Sequence, residues 1–151
     1  MKTIEQWLSE YGESHQNSTN KLLHWICVPL IILSLLGLLW SLPAPAAPVP
    51  INWAVVLIIL AMFYYLLVSP GLAAGMLIVV TGVMALLYGL NSLITSLWLV
   101  WVAVFIIAWI GQFVGHIAEG KRPSFFKDVQ FLLIGPLWLL SFIYRKLGIK
   151  Y

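Results

Sequence analysis

Three imidazoles are the side chains of this 151-residue sequence best suited to chemistry, and they stand at His15, His24 and His116. The first two fall within "YGESHQNSTNKLLHW", residues 11–25, where a long uncharged block begins, and the third falls in "GHIAEG", where it ends. A neutral imidazole offers a ring-nitrogen lone pair near neutral pH, which makes histidine the commonest metal ligand. Three such ligands, with or without a carboxylate, suit zinc or non-haem ferrous iron and leave coordination positions open. Glu119 follows His116 by three positions and shares its helical face if the helix continues that far. It is either a further metal ligand or an interfacial partner of Lys121 or Arg122. Glu13 and Asn20 are candidates to accept the proton on a ligand's second ring nitrogen. Each histidine also has an ordinary reading as an amphipathic residue at head-group depth, and Cys27, one turn after His24, reads as packing.

The elements that must position these residues are membrane helices. The chain is 62% hydrophobic and 9% charged, with a mean hydropathy of +1.01, far outside the range of soluble domains. Its fixed charges fall between Lys2 and Lys21, Glu119 and Asp128, and Arg145 and Lys150, with none from Leu22 to Ala118. A helical crossing takes about 20 apolar residues, so that block accommodates four spans, at 22–41, 51–68, 71–90 and 97–117. The breaks are "LPAPAAPVP", where proline stops a helix, the tight "SPG" turn, and the polar "NSLITS". Residues 1–17 carry acids and no apolar core, so they are no signal peptide. Thr3 with Gln6 forms a capping box, and Ile4, Trp7, Leu8 and Tyr11 repeat at helical spacing, which predicts an amphipathic helix lying on the membrane surface. Asn17 or Ser18 caps the first span. The segment 129–144 is short and holds a Gly-Pro; it is expected to be a re-entrant or interfacial hairpin rather than a fifth crossing, which would carry Arg145, Lys146 and Lys150 to the other side. The expected fold is therefore an all-α membrane bundle of one domain.

Four spans return the chain to its starting side, and Lys2, Lys21, Lys121, Arg122 and Lys127 make that side cytoplasmic. All three histidines then meet at one depth, the cytoplasmic rim. There is no His-Glu-x-x-His pattern, no phosphate-binding glycine loop and no nucleophile elbow, and the histidines are too few for a di-iron membrane hydroxylase. The net charge of +3 suits anionic lipid or a carboxylate substrate better than nucleic acid. Two rivals remain at this point. One is a non-enzymatic transporter or lipid-binding scaffold with structural histidines, weakened by the lack of charge in the middle spans. The other is a b-type haem protein with His24 and His116 as axial ligands.

The stretches "WLSEYGESHQNSTNKLLHWICVPL", "GQFVGHIAEGKRPSFF" and "GPLWLL" resemble the small multi-spanning membrane family that includes the fungal 2-hydroxy fatty acid dioxygenase and bacterial relatives. The resemblance covers nearly the whole chain. Its specific parts are Tyr11, His15, Asn20, His24, Gly115-His116, Glu119, Pro123 and Pro136. It implies an iron(II)-dependent α-oxidation, in which a 2-hydroxy fatty acid reacts with O2 and becomes a fatty acid one carbon shorter. It also implies that His15, His24 and His116 hold the iron. Three imidazoles on an octahedral ion leave three positions, for the substrate's carboxylate, its 2-hydroxyl and O2; with Glu119 as a fourth ligand, one substrate contact is lost. Lys21, Lys121 or Arg122 would steer the carboxylate, and the acyl chain would lie among the spans, each buried methylene contributing about 0.8 kcal/mol. The expected location is the bacterial inner membrane, or the endoplasmic reticulum in a eukaryote.

Overall fold

Helix α1 (Ile4–Gly12) begins with the expected capping box: the Gln6 amide donates to the Thr3 hydroxyl at 3.3 Å and the Thr3 amide to the Gln6 carboxamide at 2.9 Å. Asn17 caps α2 (Ser18–Ser41), its side chain accepting from the Thr19 amide at 2.8 Å. In this computed structural model residues 2–43, 52–93, 97–126 and 129–151 are described. Most of the expected proline-rich break (Ala44–Pro50), the loop at 94–96, and Lys127 and Asp128 lie outside them. Helices α3 (Trp53–Val68) and α4 (Pro70–Leu93) are joined by Ser69 alone, whose hydroxyl accepts from the Leu72 amide at 3.2 Å. Helix α5 (Trp98–Glu119) stops at Gly120, which takes the left-handed conformation (φ 72°) that glycine adopts without steric cost. A 3-10 turn, Ser124–Phe126, leads to α6 (Phe131–Lys146).

The described chain is thus all-α. Helices α2, α4 and α5 are long and apolar enough to cross a bilayer, which marks an integral membrane protein; α3, equally apolar, has 16 residues. α2 and α5 pack along much of their length, and α3 pairs with α4 and with α2. The many exposed leucines, isoleucines and phenylalanines on these helices, such as Ile78, Phe63 and Ile117, are what a lipid-facing surface requires.

Two expectations change. Residues 129–144 do not form a hairpin: α6 runs unbroken through Gly135-Pro136. Its Phe131, Ile134, Leu137 and Trp138 are buried, and this packing offsets the helix-interior proline. Near one end of α6 the Leu133 carbonyl accepts from the Tyr65 hydroxyl (3.0 Å); near the other, the Tyr144 hydroxyl donates to the Gly71 carbonyl (2.9 Å). Both partners flank the same α3–α4 joint, so α6 lies across that end of the bundle. Helix α1 does not turn its apolar stripe to lipid either. Ile4, Trp7, Leu8 and Tyr11 are each 5–7% exposed because the stripe packs on α6, with Trp7 edge-on to Phe131 at 5.2 Å. A protein partner competes with the membrane for this face and wins.

Candidate metal centre

The α1–α6 layer closes the end of the bundle at which α2 begins and α5 finishes, and the three histidines meet there. All are buried: His15 is 0%, His24 1% and His116 5% exposed. Their ring centroids are 4.2 Å (His15 to His24), 5.0 Å (His15 to His116) and 5.0 Å (His24 to His116) apart. Among the described residues they form the one group of three or more histidine, cysteine, aspartate or glutamate side chains able to share a metal ion, and one ligand atom from each lies within 4.8 Å of the others.

Backbone carbonyls fix the tautomers. His15 Nδ1–H donates to the Tyr11 carbonyl at 2.6 Å and His24 Nδ1–H to the Asn20 carbonyl at 3.0 Å, each four residues back. A carbonyl only accepts, so the proton of each neutral ring sits on Nδ1 and each Nε2 presents a bare lone pair. These two Nε2 atoms face one another at 2.8 Å. Two lone pairs at that distance repel unless a cation lies between or beside them. Two nitrogens bound to one ion by bonds of about 2.1 Å stand roughly 3.0 to 3.4 Å apart at right or tetrahedral angles; the 2.8 Å pair is closer than that, so sharing an ion requires the two rings to part by a few tenths of an ångström. The third member is also uncommitted, since His116 Nδ1 is buried without a hydrogen-bond partner. The donor set, three neutral imidazoles with no thiolate, suits iron or zinc. A porphyrin has no room between His24 and His116 as axial ligands, since their ring centroids are only 5.0 Å apart.

Burial holds the His15 imidazole neutral, with its pKa lowered to about 4, against smaller opposing effects from the Tyr11 carbonyl and Glu119. The Tyr11 ring stacks on it (4.2 Å, 13° between planes), and burial raises the Tyr11 pKa in turn. Tyr11 reaches this place because Gly135 of α6 leaves room for its hydroxyl, which lies 2.9 Å from where a Cβ would stand.

Glu119 lies near the cluster but is spoken for. One carboxylate oxygen accepts from the Gln16 amide at 2.8 Å; the other accepts from the Asn17 amide at 2.8 Å and from the Asn20 carboxamide at 3.1 Å. The carboxylate ties the segment carrying His15 to the end of α5 that carries His116. Asn20, fully buried, also donates to the Ser14 carbonyl at 3.0 Å and packs on Gly115, where a Cβ would come within 2.5 Å of its oxygen. Its backbone carbonyl, not its side chain, orients His24. The Glu13 side chain is exposed, while its carbonyl accepts from the Lys121 ammonium at 2.6 Å. Arg122 is exposed. Lys21 lies on the other side of His15, in a polar recess of about 470 Å³ shared with Arg145 and Trp138. Cys27 is a buried free thiol against Gly111.

Sequence reasoning gave no site role to Tyr11, Gln112, Ser124 or Trp138. Tyr11 reads only as part of the apolar stripe of α1 and of the family resemblance, and Trp138 as an ordinary aromatic packing residue. Gln112 had a visible signal, a polar side chain in an apolar span four positions before His116, and it lines the small cavity with Ser124. That cavity adjoins a larger apolar one of about 530 Å³ between α2, α3, α4 and α5, and Ile31, Ile32, Trp109, Leu132 and Pro136 line both.

Known proteins resemble this chain along nearly its whole length. Residues 1–147 match the family model described as "2-hydroxy-palmitic acid dioxygenase Mpo1-like". The chain is 31% identical over 148 residues, 96% of its length, to the 2-hydroxy-palmitic acid dioxygenase MPO1 of Saccharomyces cerevisiae, of which it covers 82%. No solved structure matches. On the full-length match and the identity together, the chain belongs to the Mpo1-like 2-hydroxy-palmitic acid dioxygenase family.

Proposed function

We propose that the protein is an iron(II)-dependent dioxygenase that converts 2-hydroxy fatty acids to fatty acids one carbon shorter, at the cytoplasmic rim of a membrane. The observation that carries this reading is the pair of Nε2 atoms held 2.8 Å apart in a buried pocket, on rings whose Nδ1 atoms are each held by a backbone carbonyl. A scaffold or transporter would have no use for that repulsion, whereas a cation removes it. His15, His24 and His116 would hold the ion, with zinc as a possible substitute. Ferrous iron bound there would supply the activation of O2 and hold the substrate's oxygens beside it.

The chain's own residues do the rest. The carbonyls of Tyr11 and Asn20 keep both Nε2 lone pairs free and aimed inward. Glu119, in this reading, is a positioning residue: it fixes the His15 segment against α5 and leaves the protein ligands at three. The α1–α6 layer keeps bulk water away from the centre. The apolar cavity receives the acyl tail, and Lys21, Lys121 and Arg122 at the rim attract anionic head groups. The reaction balances without an organic cosubstrate. One 2-hydroxy acid and one O2 give the shortened acid, CO2 and water; the bond between C1 and C2 breaks, and four electrons pass from those carbons to oxygen.

Four crossings by α2, α3, α4 and α5, with α1 and α6 at the cytoplasmic face, place Lys2, Lys21, Lys121, Arg122, Arg145, Lys146 and Lys150 on one side. That membrane would be the inner membrane of a bacterium or the endoplasmic reticulum of a eukaryote. The test is metal analysis of anaerobically purified protein, with oxygen uptake measured on adding 2-hydroxypalmitate. About one iron per chain, with oxygen consumed and a fifteen-carbon acid formed, is the expected result. Protein that binds no iron and consumes no oxygen when iron is supplied overturns the reading.

A further inference from the structure

Gln112 and Ser124 are buried polar residues that neither the helix packing nor the histidine cluster uses. They are 6% and 4% exposed, and the Gln112 amide nitrogen and the Ser124 hydroxyl have no hydrogen-bond partner. An interior donor without a partner costs a fold free energy, and native proteins retain few of them. These two converge on one place. Gln112 stands one helical turn before His116 on α5, Ser124 opens the 3-10 turn after it, and both line the cavity that His24 and His116 also line. The rest of that wall is largely apolar, including Val28, Phe113 and Pro123.

Two donors beside the histidines call for an acceptor, and the space admits only a small group. The apolar cavity next to it fixes what the rest of such a ligand must be, a hydrocarbon tail. We propose that Gln112 and Ser124 bind the carboxylate of the 2-hydroxy acid, donating to its oxygens from the Gln112 amide and the Ser124 hydroxyl. The assignment rests on the 2-hydroxy acid reading above. It moves carboxylate recognition away from Lys21, Lys121 and Arg122, none of which lines this cavity. Those cations remain at the rim, where they act on approach.

The test uses Gln112→Met, which keeps length and volume and removes the polar end, and Ser124→Ala, both in the full-length protein. Four quantities are read: melting temperature, iron per chain, the dissociation constant of 2-hydroxypalmitate in lipid vesicles with metal-free protein, and kcat and KM with iron. Removing an unpaired donor is neutral or stabilising, so Tm stays or rises, and iron per chain is unchanged. The dissociation constant and KM rise about tenfold or more, the worth of a hydrogen bond to a charged group, while kcat changes less. A structural role gives the opposite pattern, a lower Tm with binding and KM unchanged, and that result overturns the proposal. Binding and KM equal to wild type at unchanged Tm also overturn it. Wild-type turnover decides the dioxygenase reading, and the variant-to-wild-type ratio decides this one. If wild type turns nothing over, the metal-free binding ratio still decides it, and a wild type that does not bind the acid overturns both.

Discussion

Substituting Phe105 by alanine should lengthen the acyl chain this protein accepts. The apolar cavity runs from the histidine end of the bundle between α2, α3, α4 and α5, and Leu36 and Phe105 are the lining residues of α2 and α5 farthest along the chain from His24 and His116. His24 and Leu36 are twelve residues apart on α2, and His116 and Phe105 eleven apart on α5. At 1.5 Å per residue these intervals correspond to about 18 and 16.5 Å of depth. Carbon–carbon bonds of about 1.5 Å at near-tetrahedral angles advance an extended chain by roughly 1.25 Å per carbon, so the fourteen carbons of palmitate beyond C2 reach about 17.5 Å. The depth thus matches a sixteen-carbon acid. The tail comes from lipid rather than water, so each added methylene gains far less than the water-to-oil figure, and selection by length must be steric. At equal mole fraction in liposomes, kcat/KM should be nearly level from twelve to sixteen carbons. It should then fall about tenfold for longer tails, the cost of overfilling a packed interior. Removing the Phe105 ring frees roughly 5 Å, or about four carbons, and should carry the limit to about twenty. The assay is product analysis across a 2-hydroxy acid series, each variant normalised to its own rate on the twelve-carbon acid to remove any loss of folded protein. A wild-type profile level to twenty carbons, or a limit that does not move in Phe105→Ala, refutes the ruler.

Four further outcomes are expected. His15→Ala, His24→Ala and His116→Ala should each lose stoichiometric iron while keeping the helical circular-dichroism signal; a variant that keeps both iron and full turnover removes that residue from the ligand set. Glu119→Gln should weaken metal affinity by about ten- to a hundredfold, as loss of a ligand-orienting group does, whereas Lys121→Ala should not change it; chelator competition measures both. Trp7→Ala should destabilise the α1–α6 packing by about 3 to 5 kcal/mol, the usual range for truncating a buried tryptophan, and should lower metal affinity because His15 follows α1; urea unfolding and metal titration report the two effects. Burial holds His15 neutral down to about pH 4, against 6.5 for the free side chain. Between those values the unfolded chain takes up a proton that the folded one refuses, so stability present above pH 6.5 is lost as pH falls toward 4. Metal-free protein should show this as a falling Tm, with a shallower fall in His15→Ala.

Much of the architecture is legible in the sequence because it depends on local chemistry and on the bilayer as solvent. The Thr3–Gln6 box, the Asn17 cap and the Ser69 joint are each set by a few adjacent residues, and the long uncharged block leaves the chain little choice but membrane helices. With helices antiparallel and short joints between them, His24 at the start of α2 and His116 at the end of α5 must share one end of the bundle. Spacing within one chain also placed Glu119 near them. What the sequence alone left open is whatever depends on which faces meet. The amphipathic stripe of α1 suits a membrane surface and a helical partner equally well; only its packing on α6 settles the choice, and with it the burial of His15. Glu119 carries the charge of a ligand or of an ion-pair partner, yet the unpaired amides of Gln16 and Asn17 at the start of α2 claim its oxygens first. The Gly-Pro of α6 reads as a break until the buried contacts on either side of it hold the helix together. The residues able to bind a metal were therefore readable from type and spacing, while the 2.8 Å contact and the cavity leading to the centre come from tertiary packing, because burial and close approach are properties of facing surfaces.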